Sequence, residues 1–307
     1  MKLLNVDYSM ALSFSESVTD HSFLLRCVPV SRGCQTVTSC VLEVNPAVPL
    51  VTYRDVFGNT VYRGQCYAPH SEFSFHVNAM VQVHGKEGTR EPCPPFYKYS
   101  TPLTACTDEM RQFLLELFES SPLVSYVAQK KLDCSHAHDA AKILCAGVHG
   151  RIAYTSGATT VRTSAAEAFT LQKGVCQDYA HLFVSLCRAM GIPARYVCGM
   201  SKGEGATHAW VEFFVPDDAY GTENGSAVWG RWFGVDPTRN KCVDDDYVIL
   251  AVGRDFTDCQ VDRGVFCGAV QQNQTVFVKT MEFPLADNTG EFSGHSVGGG
   301  IDLAGQQ

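Results

Sequence analysis

The chain has 307 residues, of which 45% are hydrophobic and 18% are charged, so it holds enough apolar material for a full core. Its formal net charge of -8 argues against nucleic acid or an anionic membrane as the main partner, because both require a basic face. No uncharged apolar run reaches the roughly 18 residues that span a bilayer, and the N-terminal segment lacks the apolar stretch and cleavage site of a secretion signal. We therefore expect a cytoplasmic protein.

The 14 cysteines are scattered along the chain, and none forms a CxxC pair. A chain of this length can build a core without disulfides, and the cytosol keeps thiols reduced. We expect most of them to be buried free thiols, with neither a structural zinc site nor any other cofactor. Cys134, His136 and His138 form a weak metal-like cluster, but their spacing suits the polar first turn of a helix better.

The N-terminal third is predicted to be a β-rich domain, residues 1–95. Runs of β-branched and aromatic residues alternate there with turn residues, a pattern typical of a sheet or sandwich. The runs lie at 21–30, 34–44, 51–69 and 72–85. Prolines cluster next, and we place a Pro-rich linker at 96–106.

After the linker, apolar residues recur at helical spacing and strand patterns return later. The predicted helices are 107–120, 135–150, a short one from Ser164, and 176–190, and the predicted strands are 194–200, 207–215, 231–237 and 274–283. Helices followed by strands predict an α+β domain over 107–286. The Gly-rich tail, 287–307, is predicted to be disordered.

Cys176 is distinguished from the other cysteines by its position at the predicted start of a helix. Gly174 permits a tight turn just before it. The first N–H groups of a helix lack partners and carry the positive end of the dipole, and both favour the thiolate, which is the reactive form. Cys187, by contrast, lies mid-helix among apolar residues and is expected to be inert.

A thiolate nucleophile requires a base that also protonates the leaving group, and a third residue that orients the base. His208 lies on a predicted strand, and Asp236 lies where Pro237 ends the next one. Neighbouring strands can bring the Asp236 carboxylate to the far nitrogen of the His208 ring. Many proteins contain a Cys, a later His and a later Asp, so this spacing alone is only moderately specific.

Three separated runs, GVCQDYAHLFVSLCRAMGIPARYVCGM, THAWVEFFVP and WFGVDPT, resemble the transglutaminase-like superfamily in order and spacing. The β-rich region, with the RDVFGN and PHSEFSFHV runs, resembles the domain that precedes this core in bacterial members. GRDFTDCQVDRGVFCG resembles the segment that follows their catalytic Asp. The resemblance covers nearly the whole chain except the tail. It implies a papain/transglutaminase-like core with helices packed on an antiparallel sheet.

The resemblance implies that Cys176 is the nucleophile, His208 the base and acid, and Asp236 the residue that orients His208. The expected activity is that of a cysteine peptidase or amidase, which hydrolyses an amide or isopeptide bond of a peptide or protein through a thioester. Acyl transfer to an amine, as in a transglutaminase, and a non-enzymatic binding module remain the alternatives. The oligomeric state cannot be derived from the sequence.

Gln172 and Trp210 are two further candidates for the cleft. The tetrahedral oxyanion requires hydrogen-bond donors: the backbone N–H of Cys176 is one candidate, and Gln172 is a candidate for the second by its chemistry alone. Trp210 shares a strand face with His208, which makes it a candidate either for the cleft wall or for the core. The sequence does not decide between these two positions for Trp210.

Overall fold

The computed structural model describes residues 1–84, 90–129, 134–217 and 228–284. It contains two large antiparallel sheets and a group of helices that packs on the second sheet, which confirms the predicted α+β class. Within those residues no helix combines the length and the apolar character needed to cross a bilayer. The predicted tail, 287–307, lies outside the described residues.

The first sheet has eight strands and is organised around its long first strand, β1. Buried residues alternate along the first half of β1, as expected for a strand with one face on a core. That half lies between β5 (His70–Val83) and β16 (Gln272–Phe283), and the second half lies between β4 (Thr60–Cys66) and β15 (Asp262–Cys267). The N-terminal strands are β1 (Lys2–Leu25), β2 (Gln35–Asn45), β3 (Val51–Arg54), β4 (Thr60–Cys66), β5 (His70–Val83) and β6 (Arg90–Cys93).

The second sheet has six strands in the order β13-β12-β11-β9-β14, with β6 paired to β12. The helices and remaining strands are α1 (Asp108–Phe118), α2 (Val124–Gln129), α3 (Cys134–Arg151), β7 (Ala153–Tyr154), α4 (Ala165–Leu171), β8 (Lys173–Gly174), α5 (Cys176–Ala189), β9 (Ala194–Ser201), β10 (Gly203–Gly205), β11 (His208–Pro216), β12 (Val228–Asp236), β13 (Lys241–Cys242), β14 (Tyr247–Gly253), α6 (Phe256–Cys259), β15 (Asp262–Cys267) and β16 (Gln272–Phe283). Sequence patterns located the main helices and most core strands, but not β14.

Strand pairing crosses the predicted boundary between the two domains. β16, which we assigned to the catalytic core, pairs with β1 from Leu3↔Phe283 to Phe14↔Gln272. β6, which we assigned to the N-terminal domain, pairs with β12 of the core sheet. The limits at residues 95 and 107 therefore stay predictions, and the hydrogen bonding joins the two ends of the chain in one sheet.

Helix α5 is buried along almost its whole length, from Gln177 to Arg188. A charged side chain on a helix without a solvent face is costly to bury unless it is hydrogen bonded inside the protein. Arg188 does so by donating to the carbonyls of Tyr97, Ala194 and Arg254 and to the Thr104 hydroxyl. The helix is therefore fixed to the linker region, to β9 and to the segment after β14.

Two buried amide side chains join the N-terminal region to β14, which is an edge strand of the second sheet. Gln35 donates to the Ile249 carbonyl and accepts from the Ile249 N–H, both at 2.8 Å. Asn59 makes the same pair of bonds with Val252, also at 2.8 Å. Because an amide side chain carries the same donor and acceptor as a peptide, the two residues replace a missing neighbouring strand.

We expect Gln35→Leu to lower the free energy of unfolding by about 3 kcal/mol, because it leaves the buried Ile249 N–H and the buried Val30 carbonyl without the Gln35 amide as partner. Urea unfolding monitored by circular dichroism measures this. Gln272→Leu, at an exposed position of β16, is the matched control. Equal losses in the two variants would contradict the role assigned to Gln35.

Candidate active site

Cys176 lies at the start of α5 because the preceding turn is tightly held. Val175 is extended. The Asp178 carboxylate accepts from the Val175 N–H at 2.7 Å and from the Thr159 hydroxyl at 2.6 Å. A Cβ on Gly174 would lie 2.5 Å from the Asp178 carboxylate, so only glycine fits there. The sequence-based placement of Cys176 at a helix start is confirmed, and Asp178 acts as a first-turn acid.

His208 is the first residue of β11 and Asp236 is the last residue of β12. The two strands are antiparallel neighbours, with Val211 opposite Val235, so the two side chains meet at the same end of the sheet. His208 Nε2 lies 2.8 Å from Asp236 Oδ2. The expected contact between these two side chains is therefore present.

The Asp236 carboxylate is completely buried and fully hydrogen bonded. Besides His208, Oδ2 accepts from the Tyr247 hydroxyl at 2.7 Å, while Oδ1 accepts from the N–H groups of Thr238 and Arg239. Burial acts to raise the pKa of Asp236. The bond and charge of His208, the Tyr247 hydroxyl and the Arg239 charge outweigh burial, so the pKa lies below its ordinary value.

His208 contacts Asp236 and lines the same cleft as the Cys176 thiol. Because Nε2 is engaged by Asp236, Nδ1 is the ring nitrogen left to interact with the thiol. Burial acts to lower the pKa of His208, but the hydrogen bonds and charges of Asp236 and Cys176 outweigh it and raise the pKa from 6.5 to about 9. The ring therefore carries a proton at neutral pH.

Cys176 and His208 open into a cleft of about 210 Å³. The segment from Ser201 to Thr207, which contains β10 and leads into His208, lines this cleft. Tyr154, Arg239 and Val278 of β16 line it as well. A substrate in this cleft would contact both sheets, because β16 and β10 belong to the first and β11 to the second.

The two further cleft candidates, Trp210 and Gln172, do not line the cleft. Trp210 is fully buried, with its ring nearly parallel to that of His208 at 6.3 Å between centroids, and it packs in a small core cluster with Tyr247. The Trp210 ring therefore lies on the core side of the His208 ring. Gln172 ends α4, and its amide oxygen, when oriented to satisfy its neighbours, accepts from Arg151 at 2.9 Å. Gln172 is not among the described residues that line the cleft.

The other cysteines differ from Cys176 in their surroundings. The described cysteines are free thiols and most are buried. Burial raises the pKa of Cys187 strongly, as expected for an inert mid-helix thiol. Of the cluster Cys134, His136 and His138, His136 stacks on Tyr126 and His138 contacts Phe233. In the described part of the chain, no group of three or more His, Cys, Asp or Glu residues is arranged to hold a metal ion.

Sequence reasoning missed Tyr247 and Arg239, which complete the surroundings of Asp236. Tyr247 begins β14, a strand that we did not predict, and its hydroxyl reaches Asp236 only through the tertiary fold. Arg239 lies three residues after Asp236, where its side chain donates to Tyr247 and to Ser201. Its proximity in sequence to Asp236 was the only available signal.

Two family models match this chain. The model of the transglutaminase-like superfamily matches residues 125–237, a range that includes Cys176, His208 and Asp236. The model of the bacterial transglutaminase-like N-terminal region matches residues 4–82. The first range includes α5 and the strands β9, β11 and β12 of the second sheet, and the second range includes β2, β3 and β4 of the first sheet.

Similar proteins have been found in bacteria. An uncharacterised protein of Mycobacterium leprae is 27% identical over 256 residues, which span 79% of this chain and 85% of that protein. An uncharacterised protein of Mycobacterium tuberculosis is 27% identical over 249 residues, spanning 73% and 74% of the two chains.

A solved structure shares the fold. It is that of a Cytophaga hutchinsonii protein described as a candidate cysteine protease, with a TM-score of 0.68, 19% identity and coverage of 92% of this chain and 91% of that one. The two matched regions occur in chain order, and this fold agreement extends over both. Residues 125–237 thus belong to the transglutaminase-like superfamily, and residues 4–82 to the N-terminal region of its bacterial members.

Proposed function

We propose that the protein is a cysteine hydrolase that cleaves an amide or isopeptide bond of a peptide or protein, with Cys176, His208 and Asp236 as its catalytic triad. The observation that carries this proposal is the 2.8 Å hydrogen bond between His208 and the buried Asp236 carboxylate, made by a histidine that lines the same cleft as the Cys176 thiol.

The arrangement suits nucleophilic attack by sulfur. A protonated His208 beside Cys176 stabilises the thiolate, as does the N-terminus of α5. Asp236 keeps the ring oriented and favours its charged form. A scaffold without chemistry has no physical need for a fully hydrogen-bonded buried carboxylate aligned on a histidine and a thiol.

In the first half of the reaction, Cys176 Sγ attacks the carbonyl carbon and a tetrahedral oxyanion forms. The backbone N–H of Cys176, at the start of α5, is our candidate donor to this oxyanion. The C–N bond then breaks, and the leaving amine takes a proton from His208 Nδ1. A thioester on Cys176 remains.

In the second half, His208 takes a proton from water, whose oxygen attacks the thioester carbonyl. The C–S bond breaks and the free carboxylic acid leaves. An amine in place of water would instead give acyl transfer. We propose hydrolysis by water, with acyl transfer as the alternative.

We expect p-nitrophenyl acetate to acetylate Cys176 with a burst of p-nitrophenol, because an activated ester requires only the nucleophile and its base. Cys176→Ala should abolish the burst, and His208→Gln should slow acetylation by about 100-fold or more. Stopped-flow absorbance and peptide mapping by mass spectrometry measure the two effects. Cys187→Ala is the matched control and should keep the full burst.

Acetylation that maps to another cysteine would remove the triad assignment.

A second measurement separates hydrolysis from transfer. Glutamine-containing peptides are incubated with an amine donor, and the products are weighed by mass spectrometry. Amide cleavage without incorporation of the amine is the expected outcome, whereas efficient incorporation would replace the hydrolase by a transglutaminase.

We also expect the His208 ring to titrate near pH 9, well above an ordinary histidine at about 6.5. Asp236→Asn should lower this pKa, because it removes the negative charge that favours the imidazolium, and Cys176→Ala should lower it by a smaller amount. NMR titration of selectively labelled histidine follows the ring directly and needs no substrate. A midpoint at or below pH 6.5 in the unmodified protein would contradict the pairing of a charged His208 ring with the Asp236 carboxylate.

A further inference from the structure

Besides Cys176 and His208, three charged side chains line the cleft: Lys202, Glu204 and Arg239. Two of them are already paired with residues of β16. Lys202 Nζ lies 2.6 Å from Glu282, and Glu204 lies 2.6 Å from Lys279 Nζ. The charges of Lys202 and Glu204 are therefore largely compensated within the protein.

Arg239 is in a different situation. Its guanidinium donates to two neutral acceptors, the Tyr247 hydroxyl at 3.1 Å and the Ser201 hydroxyl at 2.9 Å. In the described part of the chain, the only carboxylate recorded within 4 Å is Asp236, at 3.8 Å, and it already accepts from His208 and Tyr247. A guanidinium has five N–H donors, so Arg239 keeps both donors and charge for another partner.

The guanidinium is also accessible and close to the nucleophile. The Arg239 side chain is 44% exposed, and it lines the same cleft as Cys176. Its bonds to Tyr247 and Ser201 hold the planar fork at the rim, which lowers the entropic cost of binding a second group. A carboxylate is the planar anion that this fork matches best in a peptide.

We propose that Arg239 binds a carboxylate of the substrate, so that the cleft selects peptides with a carboxylate next to the bond that is attacked. The inference rests on the proposed function and adds the substrate class. The cleft holds only about 210 Å³, so the carboxylate must lie on the residue that contributes the scissile bond or on its immediate neighbour. An acidic side chain and a free C-terminus both supply this chemistry.

The test compares an anionic with a neutral reagent at one thiol. Rate constants for alkylation of Cys176 by iodoacetate and by iodoacetamide are measured by peptide mapping, and their ratio is formed for each variant. Arg239→Gln should lower the ratio by about fivefold to tenfold. A merely structural role for Arg239 would change both rate constants together and leave the ratio unchanged.

Lys202→Gln is the matched control, since it removes the same charge from the same cleft but from a paired side chain. It should leave the ratio within about twofold of the unmodified protein. An unchanged ratio in Arg239→Gln would overturn the proposal. An equal fall in both variants would overturn it too, because the effect would then be a long-range field and not a contact.

A measurement on the unmodified protein keeps the test independent of how the variants fold. Short acetylated peptides are used to protect Cys176 from iodoacetamide: one with a free C-terminal carboxylate, one with an aspartate and an amidated C-terminus, and one neutral. The better of the two acidic peptides identifies the source of the carboxylate. Protection by neither acidic peptide beyond the neutral one would overturn the proposal.

The alkylation ratio and the protection by peptides can both be measured without turnover. The test of the carboxylate site is therefore separate from the test of the hydrolase activity. If no peptide is cleaved while the alkylation ratio falls in Arg239→Gln, the carboxylate site stands and the hydrolase proposal fails. If peptides are cleaved but the ratio is unchanged, the hydrolase proposal stands and the carboxylate site fails.

Discussion

The site depends on a single buried carboxylate. Asp236 has no exposed surface, and an ionised carboxylate in such a place is stable only when its oxygens are hydrogen bonded. Four donors meet this requirement: the ring of His208, the hydroxyl of Tyr247 and the backbone N–H groups after Pro237. Each donor is thereby fixed in position, and the orientation of His208 toward Cys176 follows from it.

The N-terminal region stabilises the same network from the other side. Tyr247 begins β14, and the free edge of β14 is bonded by the Gln35 and Asn59 side chains. Lys2 pairs with Asp246, immediately before Tyr247, at 2.7 Å. The β-rich region therefore positions the strand that supplies one of the donors to Asp236, which gives a physical reason for it to accompany the core.

Much of the site could be predicted from sequence because its determinants are local. Cys176 follows a glycine turn at a helix start, and His208 and Asp236 lie at the ends of strands with clear patterns. The surroundings of Asp236 could not be predicted in the same way. Tyr247 and Gln35 act through contacts between residues far apart in the chain. For Trp210 the strand pattern gave the face but not its depth, and for Gln172 the chemistry of the side chain gave no position.

The same distinction applies to the fold. Alternation of apolar residues located individual strands, since a strand's period of two is a local property. Which strands pair is decided by the whole chain, and the pairing of β16 with β1 joins segments that lie at opposite ends of it. The division into two domains was drawn from composition along the chain, whereas hydrogen bonding crosses it.

The most direct test of this account is a comparison of all cysteines in one experiment. The native protein is treated with limiting iodoacetamide at mildly acidic pH, where ordinary thiols are protonated and slow, and the rate constant at each cysteine is obtained by mass spectrometry. We expect Cys176 to react at least about tenfold faster than the exposed Cys40, Cys242 and Cys267. We also expect Cys176 to lose this advantage in His208→Gln. Equal rates at Cys176 and the exposed cysteines would contradict the claim that His208 and Asp236 activate this thiol.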